Sequence, residues 1–149
     1  MIASLFVVTD TPTRLAGMAF PDPELDWRAL HNQGFRHVVR LHAADYDPSP
    51  LTAHDVVLED LHCGLRPRDS DAERRRVWQA AQLTAKSVAG GEGVVVHCVG
   101  GSGRTGTVLA CVLLRLGYSA DEAIDAVQAH RPHWPESPWQ EEVVRRGPA

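Results

Sequence analysis

The feature that most constrains this chain is a run of ten residues, His97-Cys98-Val99-Gly100-Gly101-Ser102-Gly103-Arg104-Thr105-Gly106. A valine-rich segment, Gly93 to His97, predicts a strand leading into it, and the apolar stretch Thr107 to Leu116 predicts a helix leading out. A strand, a glycine-rich turn and a helix N-terminus together form an anion site, because several backbone N–H groups converge there and the helix dipole adds positive potential. Two side chains make this turn chemically active. Cys98 stands at its mouth and Arg104 closes it. A guanidinium can grip two oxygens of a tetrahedral oxyanion while a thiol approaches the central atom. The run therefore reads as a phosphate cradle, Val99, Gly100, Gly101, Ser102, Gly103, Arg104 and Thr105, with a nucleophile at its base.

Other readings of the same glycines fail on their surroundings. Gly101 to Gly106 fits the dinucleotide fingerprint G-x-G-x-x-G, and Asp121 lies at about the required distance. But Asp121 falls in a helix-start pattern, Ser119-Ala120-Asp121-Glu122, and no further strand follows Cys98. A Walker-type loop needs Lys where Arg104 stands and Gly where Cys98 stands. A plain turn with a buried structural cysteine would not require the whole ten-residue pattern.

His97-Cys98-x5-Arg104-Thr105-Gly106 resembles the signature of the cysteine-dependent protein tyrosine phosphatases, and the Gly100-Gly101-x-Gly103-Arg104 spacing is similar to the small dual-specificity branch. Gly34-Phe35-Arg36-His37-Val38-Val39-Arg40-Leu41 is similar to an early strand of that family. Arg131-Pro132 and Gln140 resemble its late Arg-Pro pair and last-helix glutamine. The resemblance implies a small α/β sheet flanked by helices with the loop at its edge. It also implies a structural His97 that orients the loop.

The chemistry of Cys98 follows from its surroundings. Loop amides, the dipole of the following helix and Arg104 all stabilise a sulfur anion. Attack on phosphorus would give a thiophosphate intermediate, with Arg104 meeting the charge of the transition state. The Thr105 hydroxyl can donate to the sulfur or simply occupy a helix first turn; Ser102 offers a similar hydroxyl. The leaving oxygen needs a proton. The family places an aspartate at a strand end upstream, and Val57-Leu58-Glu59-Asp60-Leu61 resembles that strand end, so Asp60 is the expected general acid. Its spacing to Cys98 is longer than the resemblance leads one to expect. Asp69 is the alternative, although it and Asp71 also read as helix-start residues. Cys63, after the acid loop, is either an ordinary cysteine or a thiol able to trap oxidised Cys98.

Composition narrows the setting. With 149 residues the chain is expected to be a single domain, 1–149, large enough for a real core. The net charge of −4 argues against a general nucleic-acid binder. Three scattered cysteines fit a reducing compartment rather than a disulfide framework. The apolar start lacks a basic region, and no stretch reaches a membrane span. The expectation is a cytoplasmic protein with no membrane or nucleic-acid partner. Eight histidines include His62-Cys63 and the pair His130 and His133, but neither has a second half-site, so no metal and no cofactor is expected. The row Arg74-Arg75-Arg76, with Arg66 and Arg68, is a solvated helix face or a steering patch. The four tryptophans read as packing.

Along the chain, strands are expected at Ser4 to Val8, near Arg14 to Ala16, at Arg36 to Leu41, at Asp55 to Glu59 and before Cys98. Helices are expected from Asp22-Pro23 to Gly34, from a capping box Ser70 to Glu73 through Ala89, from Ser119 to about His130, and from Ser137-Pro138 onward. Strands alternating with helices, then a helical tail, predict an α/β domain with a central, mostly parallel sheet flanked by helices. The expected function is a metal-independent phosphatase acting on phosphorylated protein or a small phosphomonoester, tyrosine-directed or of dual specificity. An arsenate-reductase or sulfurtransferase-like enzyme with the same loop, or a phosphate-binding module, remains the alternative. Oligomeric state is left open.

Overall fold

The computed structural model describes residues 4–59 and 67–148. Five strands form one sheet: β1 (Phe6–Thr9), β2 (Leu15–Met18), β3 (Phe35–Arg40), β4 (Thr52–Asp55) and β5 (Gly93–His97). Their order is β1-β2-β5-β3-β4, with β1 antiparallel to β2 and every other pairing parallel. All five residues of β5 are buried, as a central parallel strand covered on both faces requires. Alternation along it splits the core. Val94 and Val96 face the helices α2 (Ser70–Ala89), α3 (Gly103–Arg115), α4 (Ala120–Gln128) and α5 (Pro138–Arg146). Val95 faces the opposite cluster with Met18, Val38 and Leu30 of the short helix α1 (Trp27–Asn32).

Helix α3 is the axis of the larger layer. Every residue from Gly103 to Leu113 is buried, so it is a core helix rather than an amphipathic surface one. Its fully buried Leu109, Val112 and Leu113 contribute about 1.5–3 kcal/mol each by leaving water. The four tryptophans pack as expected: Trp78, Trp134 and Trp139 are buried, and Trp27 stacks on Tyr46 at 5.2 Å.

Register places the functional edge. Met18 pairs with His97, His97 with Arg40, and Arg40 with Asp55. Four strands thus end in one row, and the chain leaving β5 enters the Cys98 loop there.

Three local expectations shift. Helix α1 begins at Trp27 with Asp26 as its cap, not at Asp22, because the Asp22 carboxylate accepts from Glu24 N–H (2.9 Å) and closes a turn of its own. Strand β4 ends at Asp55 rather than running through Glu59. Val56 and Leu58 still donate to the carbonyls of Arg40 and Leu41, so the extended backbone continues beyond the strand. The cap of α2 is Asp69, whose carboxylate accepts from Ala72 N–H at 3.0 Å, not Ser70. Buried Glu73 instead binds the Glu59 N–H and Arg76. The capping box at Ser119 and Glu122 is present as expected.

Candidate active site

The loop from Cys98 to Arg104 joins the end of β5 to the start of α3, so strand, glycine turn and helix N-terminus occur as the spacing predicts. The Cys98 sulfur is nearly buried and accepts a hydrogen bond from the Thr105 hydroxyl at 3.1 Å. The Thr105 hydroxyl therefore faces the Cys98 sulfur as well as occupying the first turn of α3. Ser102 makes no side-chain cap bond to α3. Val99 is half exposed at the rim.

The loop's shape is set by what its carbonyls bind. The Cys98 carbonyl accepts from His97 Nδ1 (3.0 Å), that of Val99 from Phe20 N–H (2.8 Å), and that of Gly101 from Arg131 Nε (3.0 Å). The Gly103 carbonyl accepts from the Thr107 hydroxyl (2.7 Å), and Ser102 from Gly106 N–H. In a trans peptide C=O and N–H point in opposite directions. Carbonyls drawn outward therefore turn the N–H groups of Val99, Gly100, Ser102, Gly103 and Arg104 toward the other side, which is the geometry of an anion nest.

Close approach shapes two glycine positions, and at Gly101 it requires glycine. Gly101 has φ +74, and a Cβ there would lie 2.6 Å from the Ala19 backbone. A Cβ on Gly103 would collide with the Glu136 carboxylate and lie 3.1 Å from Gln140 Nε2. Glu136 and Gln140 thus border the loop, and the Gln140 carbonyl oxygen accepts from Glu136 N–H at 2.7 Å. The family resemblance had singled out Gln140; Glu136 had no signal before the fold placed it.

Arg104 is buried at the loop's end, and its NH1 donates to the Leu58 carbonyl (3.2 Å) and to His42 Nδ1 (3.3 Å). Because arginine can only donate, His42 accepts at Nδ1 and carries its proton on Nε2. His97 takes the opposite tautomer. Its Nδ1 faces a carbonyl, so the proton is there, and Nε2 accepts from the Tyr46 hydroxyl at 2.6 Å. Burial, more than any neighbour, holds the His97 ring below the usual histidine range. Burial likewise pushes the Tyr46 phenol up to about 12, keeping it a donor. Arg40 supports Tyr46: its guanidinium lies 5.0 Å from the ring centre, binds the Tyr46 carbonyl and grips Asp55 at 2.6 and 2.9 Å.

Asp60 and Cys63 lie outside the described residues. Asp69 is described, and its carboxylate is occupied by the helix cap. Asp71 faces Arg74 at 3.7 Å, and Arg76 is held by Glu73, so that helix face carries its own counter-charges. Among the described residues no group of three potential ligands could hold a metal. Arg131, from the Arg-Pro pair that the resemblance singled out, reaches the loop at the Gly101 carbonyl, whereas His42, Tyr46 and Phe20 sit at or beside it but were not singled out by sequence motif. Their signal was positional: residues just after β2 and β3 must flank a loop that follows β5 in a parallel sheet.

A buried thiol, a guanidinium and a glycine-rich loop at the carboxyl edge of an α/β sheet are the arrangement of the cysteine-dependent tyrosine and dual-specificity phosphatases. Residues 6–140 match the family model described as "Swiss Army Knife protein, DSP-PTPase phosphatase domain", and the chain belongs to that family. It is 27% identical over 128 residues to human "Protein tyrosine phosphatase type IVA 3", covering 85% of this chain and 69% of that protein. It is 28% identical over 117 residues to "Tyrosine-protein phosphatase cdc-14" of Caenorhabditis elegans, covering 78% of this chain but 16% of the relative. The solved structure of Tk-PTP in its active form superposes with a TM-score of 0.75 at 24% identity, over 99% of this chain and 98% of that one. No helix among the described residues is long and apolar enough to cross a membrane.

Proposed function

We propose that this chain hydrolyses phosphomonoesters, phosphotyrosine proteins foremost, through a phosphocysteine intermediate. The observation that carries the reading is the Thr105 hydroxyl on the Cys98 sulfur, 3.1 Å away, at the base of a loop whose amides face inward. The sulfur attacks phosphorus, a P–S bond forms and the ester P–O bond breaks. The departing oxygen takes a proton from Asp60. Water then attacks phosphorus and gives its proton to the Asp60 carboxylate. The P–S bond breaks, inorganic phosphate leaves, and sulfur returns as an anion that the Thr105 hydroxyl stabilises. The chemistry needs no metal, because Cys98 supplies the nucleophile while Arg104 and the loop amides meet the charge.

Two features favour Asp60 over Asp69 as the acid. Asp60 is two residues beyond Leu58, whose carbonyl Arg104 holds, and one beyond Glu59, whose N–H is held by buried Glu73. The Asp69 carboxylate is already spent on its helix cap. The test is aryl phosphate turnover in chelator, with Cys98→Ser alongside. Activity should persist with chelator and vanish in the variant, and acid-quenched enzyme should carry phosphate on the Cys98 peptide. Full activity of Cys98→Ser removes the nucleophile assignment.

A further inference from the structure

Glu73 is 1% exposed, and no step of the reaction above uses it. Taking a carboxylate out of water is costly unless its oxygens are paired and hydrogen-bonded, and apolar side chains of similar size often replace a buried ion pair without loss. Helix α2 does not need the group for its own ends. Asp69 supplies the cap, and Arg76, which meets Glu73 at 2.8 Å, keeps 47% of its side chain exposed. The distinctive contact is the one that leaves the helix: the second carboxylate oxygen accepts the backbone N–H of Glu59.

That N–H belongs to the same peptide unit as the Leu58 carbonyl, which Arg104 holds at 3.2 Å. A peptide unit is planar and rigid, so gripping it at both ends fixes the direction in which the chain leaves it. The loop arginine grips one end from α3, and Glu73 grips the other from α2. Behind them, the Leu58 N–H is tied to the Leu41 carbonyl at 3.0 Å. Leu58, Glu59, Glu73, Arg104 and Gln140 line one small cavity. The next residue in the chain is Asp60.

Resting on the phosphatase reading above, we propose that Glu73 is a positioning residue of the reaction: it holds the Leu58–Glu59 peptide against Arg104 and so sets the point from which the acid, Asp60, reaches the leaving oxygen. Proton transfer works across a hydrogen-bond distance, and a displacement of about 1 Å can cost on the order of 10²-fold. With Glu73 removed, the peptide plane keeps its Arg104 end and can turn about it. The loss falls on the step that needs a proton, and only where the leaving oxygen is basic.

The readout is the dependence on the leaving group. For Glu73→Leu, kcat/KM on phenyl phosphate, a poor leaving group, should fall ~10-fold, against less than about two-fold on nitrophenyl phosphate. Glu73→Gln, which keeps an oxygen for the Glu59 N–H, should recover most of that loss. Turnover of nitrophenyl phosphate shows that each variant folds, and Glu73→Ala takes the place of Glu73→Leu if that one does not. An equal loss on both substrates overturns the proposal, as does no loss on either. Added to Asp60→Asn, Glu73→Leu should cost nothing further on phenyl phosphate; a second loss of ~10-fold also overturns it. The same series separates the proposal from the acid assignment beneath it. Leaving-group dependence in Asp60→Asn without any in Glu73→Leu removes the positioning role and keeps the acid. No dependence in Asp60→Asn removes the acid, and the positioning role with it.

Discussion

Removing one hydroxyl, in Thr105→Val, should separate the two halves of the reaction. Thr105 is fully buried, its Oγ1 donates to the Cys98 sulfur at 3.1 Å, and its methyl faces Gly17, where even a Cβ would come within 2.8 Å. Valine keeps the methyl and the volume and deletes only the donor. A hydrogen bond to a charged group is worth about 1.5–3 kcal/mol, which corresponds to roughly 10- to 160-fold in rate. The loss falls on one step. In the proposed reaction the sulfur attacks as an anion, is uncharged in the P–S intermediate, and is anionic again as it leaves. Without the donor the resting anion and the leaving anion both rise in energy, so attack is not slowed while breakdown of the intermediate is. Stopped-flow with nitrophenyl phosphate should therefore show a burst of nitrophenolate approaching one equivalent per enzyme, then a steady rate lower by that factor. A steady rate within two-fold of wild type and no burst refutes the argument. A lower rate without a burst places the hydroxyl's effect on the first step instead.

Arg104→Lys should lower kcat/KM on aryl phosphate by 10²-fold or more, because an ammonium cannot reproduce a bidentate fork; steady-state kinetics checks it, and a loss below five-fold contradicts the role. Asp60→Asn should cut turnover roughly 10²–10⁴-fold on a poor leaving group and far less on nitrophenyl phosphate. Asp69→Asn should lack that leaving-group dependence, and the reverse pattern would move the acid to Asp69. Stability should also report the buried, neutral His97. Its folded pKa is lowered, so between about pH 6.5 and that lower value the unfolded chain binds the extra proton, and stability falls as pH drops; above about 6.5 the contribution is complete. His54 is lowered as well, mainly by burial, so urea unfolding of wild type against His97→Asn across pH 5–8 isolates the His97 share, and an unchanged slope in the variant counts against it.

The chemistry was legible because its parts are neighbours in sequence. Cys98, Arg104 and Thr105 lie within one turn, and strand, glycine and helix signals flank them. Where local signals compete, the fold decides between them. At Ser70 to Glu73 the capping-box pattern is present, yet Glu73 reaches the Glu59 backbone and Arg76, and the cap passes to Asp69. At Asp22 the following proline suggested a helix start, but the carboxylate found a nearer donor in Glu24. The outer residues of the site left no local trace at all. His42 and Tyr46 follow β3, Phe20 follows β2, and only the pairings of Met18 and Arg40 with His97 bring them together. Strand order is a long-range property that no single segment encodes.

That long-range dependence bears on how a protein of net charge −4 would hold the anion that the proposed reaction requires. The positive potential does not come from an excess of basic residues. In the proposed reading it would come from the peptide dipoles of one loop and one helix, together with Arg104. Dipoles bind only if they are oriented, and the orientation is imposed from outside the loop. His97 from β5, Phe20 after β2, Arg131 after α4 and Thr107 within α3 each take one loop carbonyl. Arg131 is anchored in turn, by the Ser4 carbonyl at 3.1 Å and over the Phe6 ring at 4.1 Å. In the proposed reaction the loop would meet an oxyanion with its amides already turned inward, leaving little reorganisation for the chemical step. A glycine-rich segment alone would be free to adopt many other shapes; the surrounding sheet edge makes this one persist.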